Sequence, residues 1–252
     1  MSKLFGLEGR VAIVTGGSRG IGKAIAEGFV DAGAKVVVSS RKADAVAATV
    51  RELEARGGTA LGVPGHMGDL DDVRRLVDAT VEAFGRIDIV VNNAATAVTL
   101  PLGSLTVDAW NKVYDVNLRG PVFLVEAALP YLLRSPSASI INVISAGAYL
   151  ASPGVAMYAA AKAGLLSFTR SMAADFATRG IRVNALAPGT VDTDMVRNNT
   201  PETQERMAAS SWMARMAAPE EMVGPAVFLA SDASSFVTGQ SIIADGGLVP
   251  AR

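Results

Sequence analysis

The chain reads as an α/β protein built on a doubly wound, about seven-stranded parallel sheet with helices on both faces. Three observations predict this. Short β-branched runs alternate with longer helical patterns from end to end, the rhythm of successive βαβ units. The strand candidates are continuously apolar, as strands covered on both faces are. Half of the 252 residues are hydrophobic and 25 are glycine, enough for a large core cut by many tight turns.

The expected strands are "VAIVT" (11–15), "KVVVSS" (35–40), "TALGVP" (59–64), "IDIVVN" (87–92), "SIINVIS" (139–145), "IRVNALA" (181–187) and "QSIIA" (240–244). Helical patterns lie near 20–32, 42–56, 70–84, 106–133, 155–178 and 219–231. No linker, repeat or low-complexity stretch divides the chain, so residues 1–252 read as one Rossmann-like domain. One segment breaks the rhythm. Residues 190–219 form an insertion before the last helix, with a substrate lid expected around 190–218. Ligands in such sheets bind beyond the carboxyl ends of the strands, which is where motifs should fall.

Composition excludes several classes of chemistry. The net charge is −1 with both signs interspersed, which gives no footprint for nucleic acid or an anionic membrane. There is no cysteine, so disulfides, thiolate metal sites and a cysteine nucleophile are out. His66 is the sole imidazole, too little for a histidine metal site; no metal is expected, and a Ser-His-Asp triad would have to run through that one residue. Glu8 and Arg10 interrupt the N-terminal stretch where a secretory signal needs an unbroken apolar core. No apolar run reaches the roughly 20 residues that span a bilayer. A cytoplasmic, soluble protein is expected.

The first strand runs into "TGGSRGIG" (15–22) and then a helix. Small residues let the backbone approach a pyrophosphate, whose charge the exposed N–H groups and dipole of the helix favour. A glycine loop alone is weak evidence; opening the first βα unit of this rhythm makes it strong. Its spacing is Gly-x-x-x-Gly-x-Gly, not Gly-x-Gly-x-x-Gly. Further along stand "NNAA" (92–95), Asn117, Ser145, Tyr158-x-x-x-Lys162 and "PGTVDT" (188–193).

With these motifs in this order, residues 7–248 resemble the short-chain dehydrogenase/reductase family. The resemblance implies a nicotinamide dinucleotide held by Gly16, Ser18, Arg19, Gly20, Ile21 and Gly22 of the loop. It also implies contacts from Ser40, Arg41, Met67, Asn93, Ala94, Ala95, Tyr158, Lys162, Pro188, Gly189, Val191 and Thr193. An acid about 20 residues past the glycines usually binds the NAD ribose. Here the second strand ends in Ser39, Ser40, Arg41 and Lys42, and Arg19 lies in the loop. A 2′-phosphate would meet guanidinium donors there, so NADPH is the expected cofactor. The bland alternative is that Arg41 and Lys42 are a solvated helix start. One departure is His66-Met67, where the family usually has an aspartate and an apolar residue against adenine.

Tyr158 and Lys162, four residues apart, leave one helix face about a turn apart. Ketone reduction needs a proton at oxygen, and a phenol with its pKa near 10 is poorly matched to neutral pH. A nearby ammonium favours tyrosinate. By resemblance, Tyr158 is the general acid/base, Lys162 lowers its pKa and binds ribose, Ser145 orients the substrate and Asn117 holds a relay water. Tyr149 competes for the phenol role, but four residues beyond it stands Pro153. Pro121 also lacks the N–H that would bond the carbonyl of Asn117, so a kink and an ordered water shared with Lys162 are expected there.

The implied activity is an NADP(H)-dependent carbonyl reductase, reversible as an alcohol dehydrogenase. Met195, Met207, Trp212, Met213 and Met216 in the insertion suit a bulky apolar ketone, unless they only pack the lid down. The alternative is a 3-oxoacyl-[acyl-carrier-protein] reductase. "NNAATAVTLPL" departs from that group and "LLRSPSAS" offers only Arg134 for an acidic carrier, whereas Arg179 matches it. A non-catalytic dinucleotide sensor is a third reading, disfavoured because all four catalytic positions are present. The long helices at 106–133 and 155–178 pair between subunits in the family, which implies a homotetramer.

Overall fold

The computed structural model describes residues 3–249, so the ends of the span 1–252 lie outside the described residues. The elements run β1 (Val11–Thr15), α1 (Gly20–Asp31), β2 (Lys35–Ser39), α2 (Ala43–Ala55), β3 (Thr59–Gly62), α3 (Leu70–Phe84) and β4 (Ile89–Asn92). There follow α4 (Val107–Tyr114), α5 (Gly120–Leu132), β5 (Ala138–Val143), α6 (Ala156–Phe176) and β6 (Ile181–Pro188). The chain continues through α7 (Asp194–Arg197), α8 (Pro201–Ala209), α9 (Val223–Ala230) and β7 (Ser241–Ala244). All seven strands pair in parallel in the order β3-β2-β1-β4-β5-β6-β7. This is the Rossmann-like sheet expected. Strand ends differ from the expected limits by one or two residues.

Strand alternation sorts the apolar side chains between two layers. Ala12, Val14, Val36, Val38, Ile89 and Val91 pack under Ile25 and Phe29 of α1 and Leu229 of α9. Ile13, Val37, Val90 and Ile140 face Leu76 of α3, Leu124 of α5 and Phe176 of α6. Both faces are therefore covered, and polar chemistry is left to the sheet's carboxyl edge. The strand order reverses between β1 and β4, opening a crevice there. A buried polar ladder crosses the second layer: Asn92 Nδ2 donates to Asn142 Oδ1 (2.9 Å), and Asn142 Nδ2 to Thr169 Oγ1 (2.9 Å). It ties β4, β5 and α6 together with every member inaccessible to solvent.

Where a kink is expected at Pro121, the helix runs through a π-helical turn. Residues Asp115–Arg119 join α4 to α5, and the N–H of Gly120 donates to the carbonyl of Asp115, five residues back. A widened turn accommodates the missing proline N–H. The insertion at 190–219 carries the short helices α7 and α8, an isolated bridge from Val191 to Ala217 and a 3₁₀ turn at Pro219–Met222. Among the described residues no helix is long and apolar enough to cross a membrane.

Gly120 lets the π turn seat against the loop after β3: a Cβ there would collide with the carbonyl of Met67. Gly120→Ala should lower the unfolding free energy by more than about 2 kcal/mol in urea titration. Gly224→Ala, on α9 where a Cβ meets nothing within 4 Å, should leave stability unchanged or raise it by about 0.5 kcal/mol.

Candidate active site

Sequence at the end of β1 builds a loop that nothing but small residues could form. Gly16 and Gly20 have φ of +65° and +51°, the left-handed region glycine tolerates. A Cβ on Gly22 would strike Asn93 Nδ2 and the carbonyl of Gly16, so the helix can press against the strand only there. Asn93 braces the loop from below, its Nδ2 donating to the carbonyls of Thr15 (2.8 Å) and Gly16 (3.3 Å). Thr15 Oγ1 accepts from the N–H groups of Asn93 (3.0 Å) and Ala94 (3.1 Å). Arg19, the residue capping α1, is extended and supplies no side-chain cap, which leaves the first N–H groups of α1 free to take an anion.

The loop reaches from one side of the crevice to the other. Ser18 Oγ lies 2.7 Å from Ser40 Oγ at the end of β2, with Arg41 exposed beside it. Gly20 faces the Thr193 methyl, 3.0 Å from where its Cβ would be, and Arg19 Nη1 donates to Asp194 Oδ2 at 2.8 Å. Ile21 packs into the core beneath. Pro188 closes β6, Gly189 has no room for a Cβ against Asp245, and Val191 is buried. Ala95 and Thr193 are half-buried at the rim.

After β3, Met67 is buried while the ring of His66 is committed locally. His66 Nδ1 accepts from the N–H of Gly68 (3.1 Å), and the His66 N–H donates to Asp72 (2.7 Å). The imidazole thus shapes its own turn, and Arg119 holds that turn through the carbonyl of Gly68 (2.8 Å).

Ser145, Tyr158 and Lys162 come together at the carboxyl end of β5. Lys162 is only 1% exposed, and its ammonium donates to the carbonyl of Val143 at 2.7 Å. Its Nζ lies 5.8 Å from the Tyr158 ring centroid. Burial pulls the Lys162 pKa down from 10.5 to about 8. Burial also pushes the half-buried Tyr158 phenol above its ordinary value, and a hydrogen bond with Ser145 pulls it partly back. In the chain alone burial decides the direction, the reverse of the one expected from Lys162. Ser145 Oγ accepts from the N–H of Gly147 at 3.1 Å, which sets its rotamer. Asn117 sits in the π turn with its side chain fully engaged: Oδ1 accepts from the Thr96 N–H and Nδ2 donates to the Thr96 carbonyl, both at 2.8 Å. It clamps the segment after β4.

The residues present fit a dinucleotide. Uncapped α1, glycines with no room for side chains, and the buried, unpaired Ser39 Oγ at the end of β2 all mark the crevice as shaped for one. When bound, such a group supplies or takes up a hydride. What the motifs did not reveal are the carbonyl of Val143, the bracing by Thr15 and Asn93, and the Arg19–Asp194 pair. "TGGSRGIG" and "NNAA" named Thr15, Arg19 and Asn93 but not these partners.

Fold and site together define a dinucleotide-dependent α/β oxidoreductase. A family model described as enoyl-(acyl carrier protein) reductase matches residues 16–249. The chain is 41% identical over 248 residues to a 3-oxoacyl-[acyl-carrier-protein] reductase of Synechocystis sp., covering 96% of this chain and 98% of that one. It superposes on a 3-oxoacyl (acyl-carrier-protein) reductase from Agrobacterium tumefaciens C58 solved with NADP bound. There the TM-score is 0.91 and the identity 39%, with 97% and 96% of the two chains covered. It also superposes on a gluconate 5-dehydrogenase from Burkholderia cenocepacia J2315 in complex with NADP and tartrate, with TM-score 0.93, identity 34% and 99% of each chain covered. The chain belongs to the short-chain dehydrogenase/reductase family, whose members use NAD(P).

The Lys162 shift has a signature in stability. Its folded pKa of about 8 lies below the unfolded value of 10.5, so between them the unfolded chain binds more protons and stability rises with pH. Relative to Lys162→Met, the wild type should gain roughly 2–3 kcal/mol between pH 7 and 10 in urea unfolding. The opposing effect of Tyr158, whose folded pKa is raised, begins only above pH 10.

Proposed function

We propose that this chain is an NADP(H)-dependent carbonyl reductase, reversible as an alcohol dehydrogenase, acting on a bulky apolar ketone or secondary alcohol. One observation carries the reading: Tyr158 and Lys162 share a face of α6, with the buried ammonium anchored two residues before Ser145. Tyr158 then gives its proton to the carbonyl oxygen as the carbon is reduced. A phenol held above its ordinary pKa keeps that proton at neutral pH, which suits the reductive direction. Ser145 donates a hydrogen bond to the same oxygen as negative charge develops. Lys162, still mostly protonated at pH 7, returns a proton toward Tyr158. Because the Asn117 side chain is committed to Thr96, its main-chain carbonyl, facing the missing N–H of Pro121, takes the relay water.

The 2′-phosphate reading rests on Arg19, Ser40 and Arg41 around the loop and on the lack of an acid at the end of β2. The apolar substrate rests on residues 190–218 acting as a lid, where Trp212 is 79%, Met213 60% and Met195 45% exposed. Met207 and Met216 are half-buried and pack the segment down. The single domain, the cytoplasmic setting and the homotetramer belong to the same proposal. A second reading, reduction of 3-oxoacyl thioesters on a carrier protein, is favoured by the Synechocystis relative and by the exposed Arg179.

Steady-state kinetics separate these. With NADPH, kcat/KM for aromatic and steroid-like ketones should exceed that for short 3-oxoacyl thioesters; the reverse order selects the second reading. NADPH should surpass NADH in kcat/KM, and equal values would remove the cofactor assignment. Tyr158→Phe should lower kcat by at least about 10²-fold with the NADPH dissociation constant unchanged. Retained turnover would overturn the role of Tyr158.

A further inference from the structure

Arg19 sits where the glycine loop passes between two neighbours. Ser18 on one side touches Ser40, at the end of β2 where a 2′-phosphate is expected; Gly20 on the other side touches Thr193, at the start of the insertion. The Arg19 side chain is turned toward the insertion, its Nη1 on Asp194 Oδ2 at 2.8 Å, with the two side chains 67% and 51% exposed. Nη1 is the only one of its donors with a protein partner among the described residues. Asp194 also acts on Arg197, which Asp192 already holds in a two-pronged pair at 2.7 and 2.9 Å. Asp194 is therefore a carboxylate whose direct partner is a residue that the cofactor also needs.

We propose that Asp194 is a specificity-determining residue: it competes with the 2′-phosphate of NADPH for Arg19, so that the phosphate gains Nη1, and with it the whole guanidinium fork, by releasing the insertion from the glycine loop. The inference rests on the NADP reading above. A phosphate dianion outbids a single exposed carboxylate for a guanidinium, because it offers three strong acceptors and more charge. An exposed ion pair is weak, and its competition is correspondingly modest. NADH, with no 2′-phosphate, leaves the pair intact. The pair thus sets how strongly the chain discriminates between the two cofactors and links that choice to the segment over the site.

The test is a cofactor titration by reduced-nicotinamide fluorescence, with no substrate present, on wild type, Asp194→Asn, Arg19→Met and the double variant. Asp194→Asn should tighten NADPH two- to fivefold and leave NADH unchanged, and this gain should shrink at 1 M salt, where the Debye length is about 3 Å. In the Arg19→Met background the same change should do nothing to NADPH. If Arg19→Met weakens NADPH but Asp194→Asn leaves it unchanged or weakens it, the competition is refuted and the NADP reading stands. If Arg19→Met alters neither cofactor and the wild type binds both alike, the NADP reading itself fails and takes this inference with it. Asp192→Asn, which removes the neighbouring carboxylate without touching Arg19, should leave the NADPH to NADH ratio at its wild-type value; a gain equal to that of Asp194→Asn would reduce the effect to general charge and overturn the proposal.

Discussion

Seven parallel strands with helices on both faces leave this protein one place to do chemistry. Backbone groups are spent in the ladder, and side chains above and below are buried in two apolar layers. Polar groups that must meet a ligand are confined to the loops at the carboxyl edge, and the reversal of strand order between β1 and β4 parts those loops. The rest of the site hangs on that point. Thr15 at the end of β1 and Asn93 just past β4 meet across it and hold the glycine loop in shape. Glycine at the two left-handed positions lets the loop take this shape without steric strain.

The buried ammonium is the second constraint. A lysine at 1% exposure needs a partner, and the Val143 carbonyl at the end of β5 provides it. That contact requires β5 and α6 to keep their register, which the Asn142–Thr169 hydrogen bond secures one strand residue earlier and two helical turns later. Burial and the hydrogen bond with Ser145 then act against each other on Tyr158. The same packing that fixes Lys162 beside it also desolvates the phenol and raises its pKa.

Some of this was legible residue by residue. The strand runs and the glycine loop are local patterns: continuous β-branched stretches and a run of small residues at a strand end have few other uses. Tyr158 and Lys162 were readable because helical geometry alone places them on one face. Pro121 signalled a disturbance in the helix, but one residue cannot say that it takes the form of a π turn. Gly120 lets that turn press against the Met67 carbonyl, a contact across 53 positions of sequence. Asn117 was singled out as a relay residue, and its side chain clamps Thr96, a partner that no spacing rule names.

The sequence by itself determined the fold class, the place of the phosphate loop and the pair of groups on α6, because each depends on hydrophobic period, turn chemistry or helical spacing within a few residues. Tertiary structure decided what those groups experience. The direction of the Tyr158 shift, the carbonyl that holds Lys162, the ladder from Asn92 to Thr169 and the pairing of Arg19 with Asp194 all join residues far apart in the chain. Desolvation and partner choice are properties of the assembled surroundings, and no local pattern encodes them.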